Sequence, residues 1–342
     1  MVKTLASDTI APAFPEVIEA LARANHDEAA SYGDDEYTQR VQERFRDMFG
    51  APVEVRWSLG GTGANIFSMA VLADRHHAIL CADTAHMVMH ECGAVPQITG
   101  AQLRTIPSAD GKLRPDDIRP YLLELEDEHV SQPRVLSITQ TTELGTVYTI
   151  EEIVALAELA HSHHLFLHVD GARIATALAA LDADPRSALT DAGVDVISFG
   201  GTKAGTAFGE AVVFVDPVLA RDVKRRHIST GQLSAKTRFI AVQFEAFLIN
   251  DLWLRGARRA NEMAQLLVNR LAKIPGVQVL LPVEANIIWA EVSQEVEERI
   301  RDSVHTQAGR ARWVTAWDTT ETDVDAVALL VAGTTLAPAS ER

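Results

Sequence analysis

The sequence predicts an α/β protein: a large, mostly parallel α/β/α sheet domain followed by a smaller C-terminal α/β unit. Three observations carry that prediction. Short β-branched runs alternate with amphipathic helical stretches between residues 53 and 226, the pattern of strands joined by crossover helices. A stretch with little Gly or Pro, 235–272, then reads as one long or broken helix, and the β-β-α-β-α order behind it is enough for a second layer. Hydrophobic residues make up 47% of the 342 and charged residues 23%, so a packed core is expected and wholesale disorder is excluded.

Residues 1–30 show no such alternation and are expected to form an N-terminal arm ahead of Tyr32-Gly33-Asp34-Asp35. The large domain, 31–245, takes strands at 53–57, 78–82, 134–139, 165–169, 194–199 and 211–215 from their apolar, β-branched runs. Between them, apolar residues at helical spacing predict helices at 65–73, 114–125, 150–161 and 217–226. Residues 246–342 hold a linking helix and the small domain, with strands at 277–281, 286–292 and 312–316 and helices at 296–303 and 322–331.

Composition narrows the function classes. Asp and Glu outnumber Lys and Arg 47 to 31, for a formal charge of −16, which argues against nucleic acid, whose phosphates need clustered cations. The one short basic run, Lys224-Arg225-Arg226, reads as a solvated helix face. The N-terminal residues lack the apolar core of a signal peptide, and no run approaches about 18 apolar residues, so no membrane span is expected. Cys81 and Cys92 exclude a disulfide scaffold and a cysteine zinc cluster. A cytoplasmic protein with a small-molecule substrate is expected.

Two segments carry the chemistry: HVDGAR at 168–173 and SFGGTKAG at 198–205. Asp170 ends an apolar strand, where open α/β sheets place their ligand groups. Lys203 follows a second apolar strand across a Gly-Gly-Thr turn. Alone it would be an exposed turn lysine. With Asp170 it makes up the two protein groups that a pyridoxal 5'-phosphate enzyme needs, an amine for the Schiff base and a carboxylate that keeps the pyridine nitrogen protonated. Gly60-Gly61-Thr62-Gly63-Ala64-Asn65, between a strand and an apolar helix, offers close backbone approach and free N–H groups for a phosphate. It lacks both the Walker ending and the dinucleotide-fold glycine spacing. His86 follows another strand end and either stacks on a flat ring, moves a proton, or is a half-buried structural histidine. His86, His90 and Glu91 invite a metal, but not in the His-Glu-x-x-His order, and no metal is expected. The cluster of His161, His163, His164 and His168 is read as structural, since strand alternation divides its members between faces.

These segments, with SDT (7–9), YGDD (32–35), AHMVMHECGA (85–94), ITQTTELGTVYT (138–149) and ARWVTAWDTT (311–320), occur in one order that resembles the threonine aldolase branch of the fold-type I pyridoxal phosphate enzymes, the β-eliminating lyase superfamily. The resemblance spans nearly the whole chain and is greatest to low-specificity L-threonine and phenylserine aldolases. It implies retro-aldol cleavage of L-β-hydroxy-α-amino acids to glycine and an aldehyde. It assigns Lys203 as the Schiff-base lysine and Asp170 as the pyridinium partner. Arg173 becomes the arginine beside the cofactor, and Gly61, Thr62 and Gly63 the phosphate cup. His86 becomes the stacking histidine and catalytic base, with Ser7 and Arg312 as the substrate-carboxylate ligands. Ala204 departs from the polar Asn of many relatives. The resemblance also implies a homodimer at minimum and a homotetramer as the expected assembly, and Phe14, Ile18, Phe239 and Phe244 are either contact area for it or ordinary core. The alternative is another fold-type I enzyme of amino-acid metabolism, a β-eliminating lyase or racemase, which would share Asp170, Lys203 and the cup.

Overall fold

The computed structural model describes residues 3–221 and 223–334; residues 1 and 2 of the expected arm and 335–342 of the expected small domain lie outside the described residues. Strands β1 (Glu54–Ser58), β2 (His77–Ala82), β3 (Gln102–Ile106), β4 (Gln132–Thr139), β5 (Phe166–Gly171), β6 (Val196–Phe199) and β7 (Glu210–Phe214) form a seven-stranded sheet in the order β1-β7-β6-β5-β4-β2-β3. From β3 to β6 neighbours run parallel, while β7 is antiparallel to both β6 and β1. Every residue of β6 and β7 is buried, which is why central strands read as unbroken apolar runs. β3 was not anticipated. It lies at the sheet edge, exposes Gln102 and Thr105 and buries only Ile106, so it has no apolar run to betray it.

The helices of this domain are α1 (Pro15–Ala24), α2 (Glu36–Phe49), α3 (Gly61–Leu72), α4 (His86–Met89), α5 (Ala94–Thr99), α6 (Pro115–Leu122), α7 (Ile150–Ser162), α8 (Ile174–Leu181) and α9 (Val223–Ser229). The YGDD segment is the entry to α2: Tyr32 and Gly33 take φ of 60° and 90°, and the Asp35 carboxylate accepts the Thr38 amide at 2.8 Å as an N-cap. Two helix starts lie four or more residues from expectation. α3 begins at Gly61 rather than 65, because Gly60 is the extended N-cap and the Ala64 amide already bonds its carbonyl. α9 begins at Val223 rather than 217, after a series of turns from Pro217.

The stretch 235–272 is a broken helix: α10 (Arg238–Leu248) and α11 (Leu252–Leu271), separated by Asn250 and Asp251 with φ of 53° each. Asn and Asp are the residues that best tolerate this left-handed region. The expected limit at 245 falls inside α10. A second sheet follows, made of β8 (Val277–Val279), β9 (Ile287–Val292), β10 (His305–Gln307) and β11 (Arg310–Val314) in the antiparallel order β10-β11-β9-β8. β10, three residues without an apolar run, was also missed. α12 (Gln294–Ile300), α13 (Glu321–Ala332) and α11 share a core with this sheet around Leu267, Ile288, Trp313 and Val327.

The arm binds both layers. The Leu5 carbonyl accepts the Val314 amide at 2.8 Å, and Lys3 Nζ meets Asp318 at 2.7 Å. Farther on, Trp317 Nε1 donates to Pro12 O at 2.8 Å and the Phe14 amide to Gly205 O at 2.9 Å. Of the apolar residues considered for subunit contact, Phe14 and Phe244 are core, whereas Ile18 is exposed. Phe244 packs among Phe45, Trp57 and Phe247 beneath α2.

Candidate active site

The site forms where β5 and β6 end. Asp170, one residue from the end of β5, is buried; its Oδ2 accepts Asn65 Nδ2 at 2.8 Å and its Oδ1 the Ala172 amide at 3.1 Å. Asn65 comes from the second turn of α3, and its amide nitrogen also donates to Glu91 Oε1 at 3.0 Å. That same oxygen lies 2.8 Å from His86 Nδ1. Glu91 raises the proton affinity of His86; burial opposes this and Glu143 adds to it. Behind Asn65, His168 is buried between Ser137 Oγ at 2.9 Å and Ser198 Oγ at 3.1 Å. Burial pushes it down to about 4, so the imidazole is neutral and works as a spacer between two hydroxyls.

Lys203 sits in a short 3₁₀ turn, Thr202–Ala204, just after β6. Its amine has no hydrogen-bond partner among the described residues and faces a recess that Asp8, Arg173, Asn286 and Trp317 also line. The turn is fastened from below by Glu210 on β7, whose Oε2 accepts the Gly201 amide at 2.5 Å and the Thr202 amide at 3.4 Å. Burial raises the Glu210 carboxyl against the pull of those amides and of Lys203.

Gly61, Thr62 and Gly63 form the first turn of α3, and their amides find no acceptor among the described residues. Free amides aimed along a helix axis are an anion cradle. The glycines serve different ends. A Cβ on Gly61 would meet nothing within 4 Å, whereas on Gly63 it would fall 2.2 Å from Gln232 Oε1 and 2.6 Å from Ser58 Oγ. Gly63 is therefore small for packing, because Gln232 Oε1 must reach Ser58 Oγ (2.9 Å).

The two arginines differ in what they have left to offer. Arg173 is buried with its fork closed on Asp8, Nε to Oδ2 at 2.7 Å and Nη2 to Oδ1 at 3.0 Å, and Glu143 lies 3.8 Å from Nη1. Burial opposes its charge, but Asp8 and Glu143 hold its proton affinity above the usual. Asp8 is correspondingly held low: burial works against its ionisation and Arg173, then Lys203, outweigh it. Among the described residues, Arg312 on β11 gives one hydrogen bond, Nη2 to Ala6 O at 3.2 Å, and its buried Nε has no partner. Burial and then Arg173 lower its proton affinity, yet a guanidinium stays charged near neutral pH. Ser7, next to Ala6, caps the turn after it by accepting the Thr9 amide at 3.2 Å.

The structure thus gathers Lys203, Asp170, Arg173, His86, Ser7 and Arg312 around one set of interacting charges, with the turn of Gly61, Thr62 and Gly63 leading into Asn65. Asp8, Asn65, Glu91, Glu143 and Glu210 escaped the sequence reading as site residues. Asn65 carried a usable signal, four residues past Gly61 and so one helical turn along α3. Asp8 lay in the SDT segment, but nothing local showed its pairing, because its partner Arg173 is 165 residues away.

Residues 4–295 match the family model described as Beta-eliminating lyase. The chain is 40% identical over 326 residues to the low specificity L-threonine aldolase of Pseudomonas sp. (strain NCIMB 10558), spanning 93% of this chain and 94% of that protein. Against the low specificity L-threonine aldolase of Pseudomonas aeruginosa identity is 40% over 321 residues, 92% of each. The solved threonine aldolase structure from Leishmania major superposes with a TM-score of 0.90 at 26% identity, covering 96% of this chain and 98% of that one. A family model spanning most of the chain and relatives this similar over nearly full length lead to one conclusion: the chain belongs to the β-eliminating lyase family.

Proposed function

We propose that the protein is a pyridoxal 5'-phosphate-dependent aldehyde-lyase that cleaves L-threonine and L-allo-threonine, and L-phenylserine by the same route, to glycine and an aldehyde. The observation that carries this reading is one connected site holding an unpartnered lysine, a buried strand-end carboxylate and an arginine with an orphaned buried Nε. The residues fit the cofactor: the bare amides of Gly61, Thr62 and Gly63 suit its phosphate, Asp170 its ring nitrogen, Lys203 its aldehyde and the His86 ring its face. Bound there, the cofactor supplies an electron sink for the pair released when Cα–Cβ breaks.

The chain's own groups do the rest. Asp170, held by Asn65 and the Ala172 amide, keeps a proton on the ring nitrogen. Arg312 receives the substrate α-carboxylate at the fork it does not spend on protein, with Ser7 beside it. Fixing that carboxylate fixes which Cα bond is aligned for cleavage. His86 takes the β-hydroxyl proton at Nε2, the nitrogen that Glu91 leaves free, and the Cβ oxygen becomes the aldehyde.

Names of relatives at 40% identity support the same substrate class. Residence in the cytoplasm is supported by free thiols at Cys81 and Cys92. Product analysis with L-threonine, L-allo-threonine, both phenylserine isomers and D-threonine tests the reading. Glycine and the matching aldehyde from the L-substrates are expected. Pyruvate with ammonia from serine, or racemised alanine, in place of glycine would overturn it.

A further inference from the structure

Glu91 is a costly residue as pure structure. Its side chain is fully buried, Oε1 carries both of its contacts, and Oε2 meets no partner among the described residues. A buried carboxylate with one bare oxygen lowers stability relative to a neutral isostere. Its surroundings show what the charge orients. An ionised carboxylate only accepts, so His86 Nδ1 must be the donor and the neutral ring keeps Nε2 as a bare acceptor. The Asn65 amide nitrogen spends both hydrogens on carboxylates, one on Glu91 and one on Asp170, while its Oδ1 accepts the Ser198 hydroxyl at 3.0 Å. A reversed amide would set its oxygen against two carboxylates, so its orientation is fixed. With the Ser198 hydroxyl proton committed to Asn65, Ser198 Oγ accepts from His168 Nε2, and Ser137 donates to His168 Nδ1. The donor order is consistent from Ser137 to His86.

We propose that Glu91 is a positioning residue of the reaction: it locks His86 as the Nδ1–H tautomer with Nε2 free for the substrate hydroxyl proton, and through Asn65 it ties that ring to Asp170. The proposal rests on the reading of His86 as proton acceptor. The charged and titratable groups facing His86 are Glu91, Glu143, Lys203 and Asp170, with the His90 ring at 5.6 Å. Of these, Glu91 alone is hydrogen-bonded to it among the described residues, so its removal outweighs the others.

The test uses full-length Glu91→Gln, His86→Asn and the double variant, each checked for folding by thermal unfolding. Nitrogen-15 imidazole spectra, recorded with and without pyridoxal phosphate, follow the His86 tautomer and titration. In Glu91→Gln the His86 midpoint is expected to fall and the Nδ1–H form to lose its dominance. The acid limb of kcat/KM moves to lower pH with it, and kcat falls at least about tenfold with KM changed less than about twofold. In the His86→Asn background, adding Glu91→Gln should cost under about twofold, since contacting residues acting as a unit are non-additive. An unmoved His86 titration overturns the proposal, and so does full additivity in the double variant, which is the mark of a merely structural role. Full turnover in His86→Asn refutes the proton-acceptor reading and this proposal's catalytic half together. Absence of glycine from the unmodified enzyme refutes the proposed function, and the spectra then still decide whether Glu91 sets the tautomer.

Discussion

Lys203 and Arg312 make opposite demands on a substrate, and each is legible from what its side chain lacks. Lys203 has no hydrogen-bond partner among the described residues and sits on a turn held by Glu210, so Lys203→Ala removes the amine without removing a hydrogen bond. The variant is expected to keep its unfolding temperature within a few degrees, to lose measurable turnover, and to show no borohydride-reducible link between cofactor and chain. A reducible adduct in that variant would move the assignment to another lysine. Arg312 binds through a planar fork, and an ammonium offers only a point charge. Arg312→Lys should raise KM for amino acids about tenfold or more while cofactor content stays near wild type; unchanged steady-state kinetics would place the carboxylate on Arg173, whose fork Asp8 occupies. The resemblance set Arg173 beside the cofactor and Arg312 at the substrate carboxylate, but nothing in the sequence said which fork is already occupied. That contrast was invisible because it depends on Asp8 and Ala6 from the arm and on Asn286, just before β9, which also bonds Asp8.

Strands buried on both faces were the easiest to read, although β1 at a sheet edge and β8, with no fully buried residue, were found as well. β4 to β7 announce themselves as apolar runs because helices cover both sides, whereas β3 and β10, exposed at edges, have no such signature. The glycine turn was placed correctly in sequence, but its place inside α3 was not, since a helix N-terminus without side-chain caps looks like a loop. The parallel pairing of β4, β5 and β6 also buries His168. Burial lowers it from an ordinary 6.5 to about 4, so between those values the unfolded chain binds the proton and the folded chain does not. Its contribution to stability is complete above pH 6.5, is lost as pH falls toward 4, and is level below that. The full span amounts to about 3 kcal/mol. His227, buried and also lowered to about 4, adds to the loss with the same sign. Urea unfolding at pH 7 and pH 5 should show the drop, and a His168→Asn variant should show a shallower slope between them. A pH-independent midpoint would mean that His168 is charged in the fold.

At the scale of the whole molecule, exposed apolar side chains border the site. Leu59 precedes the glycine turn, Met89 follows His86 and Phe208 follows Lys203, at 56%, 59% and 38% exposure. Such surface beside a binding site favours cover by another chain. The charge of −16 opposes association, so the contact must be large enough to offset it. Light scattering at micromolar concentration is expected to give at least twice 37.2 kDa, and four times that mass if the resemblance holds to the tetramer. A stable, fully active particle of 37.2 kDa would refute this.

The arm adds an order in time. Arg312 and Ala6, which share a hydrogen bond, are 306 residues apart, and at ribosomal speed their syntheses are separated by roughly half a minute. Asp170 and Lys203 emerge long before β11 exists, so the half of the site that would hold the cofactor can be complete while the half that would hold the carboxylate has not been translated. A nascent chain stalled before residue 310 would keep Asp8 within reach of Arg173 and still have no fork for a substrate. On the proposed assignment, competence for binding amino acid therefore waits for Arg312, made 306 residues after the carbonyl that anchors it.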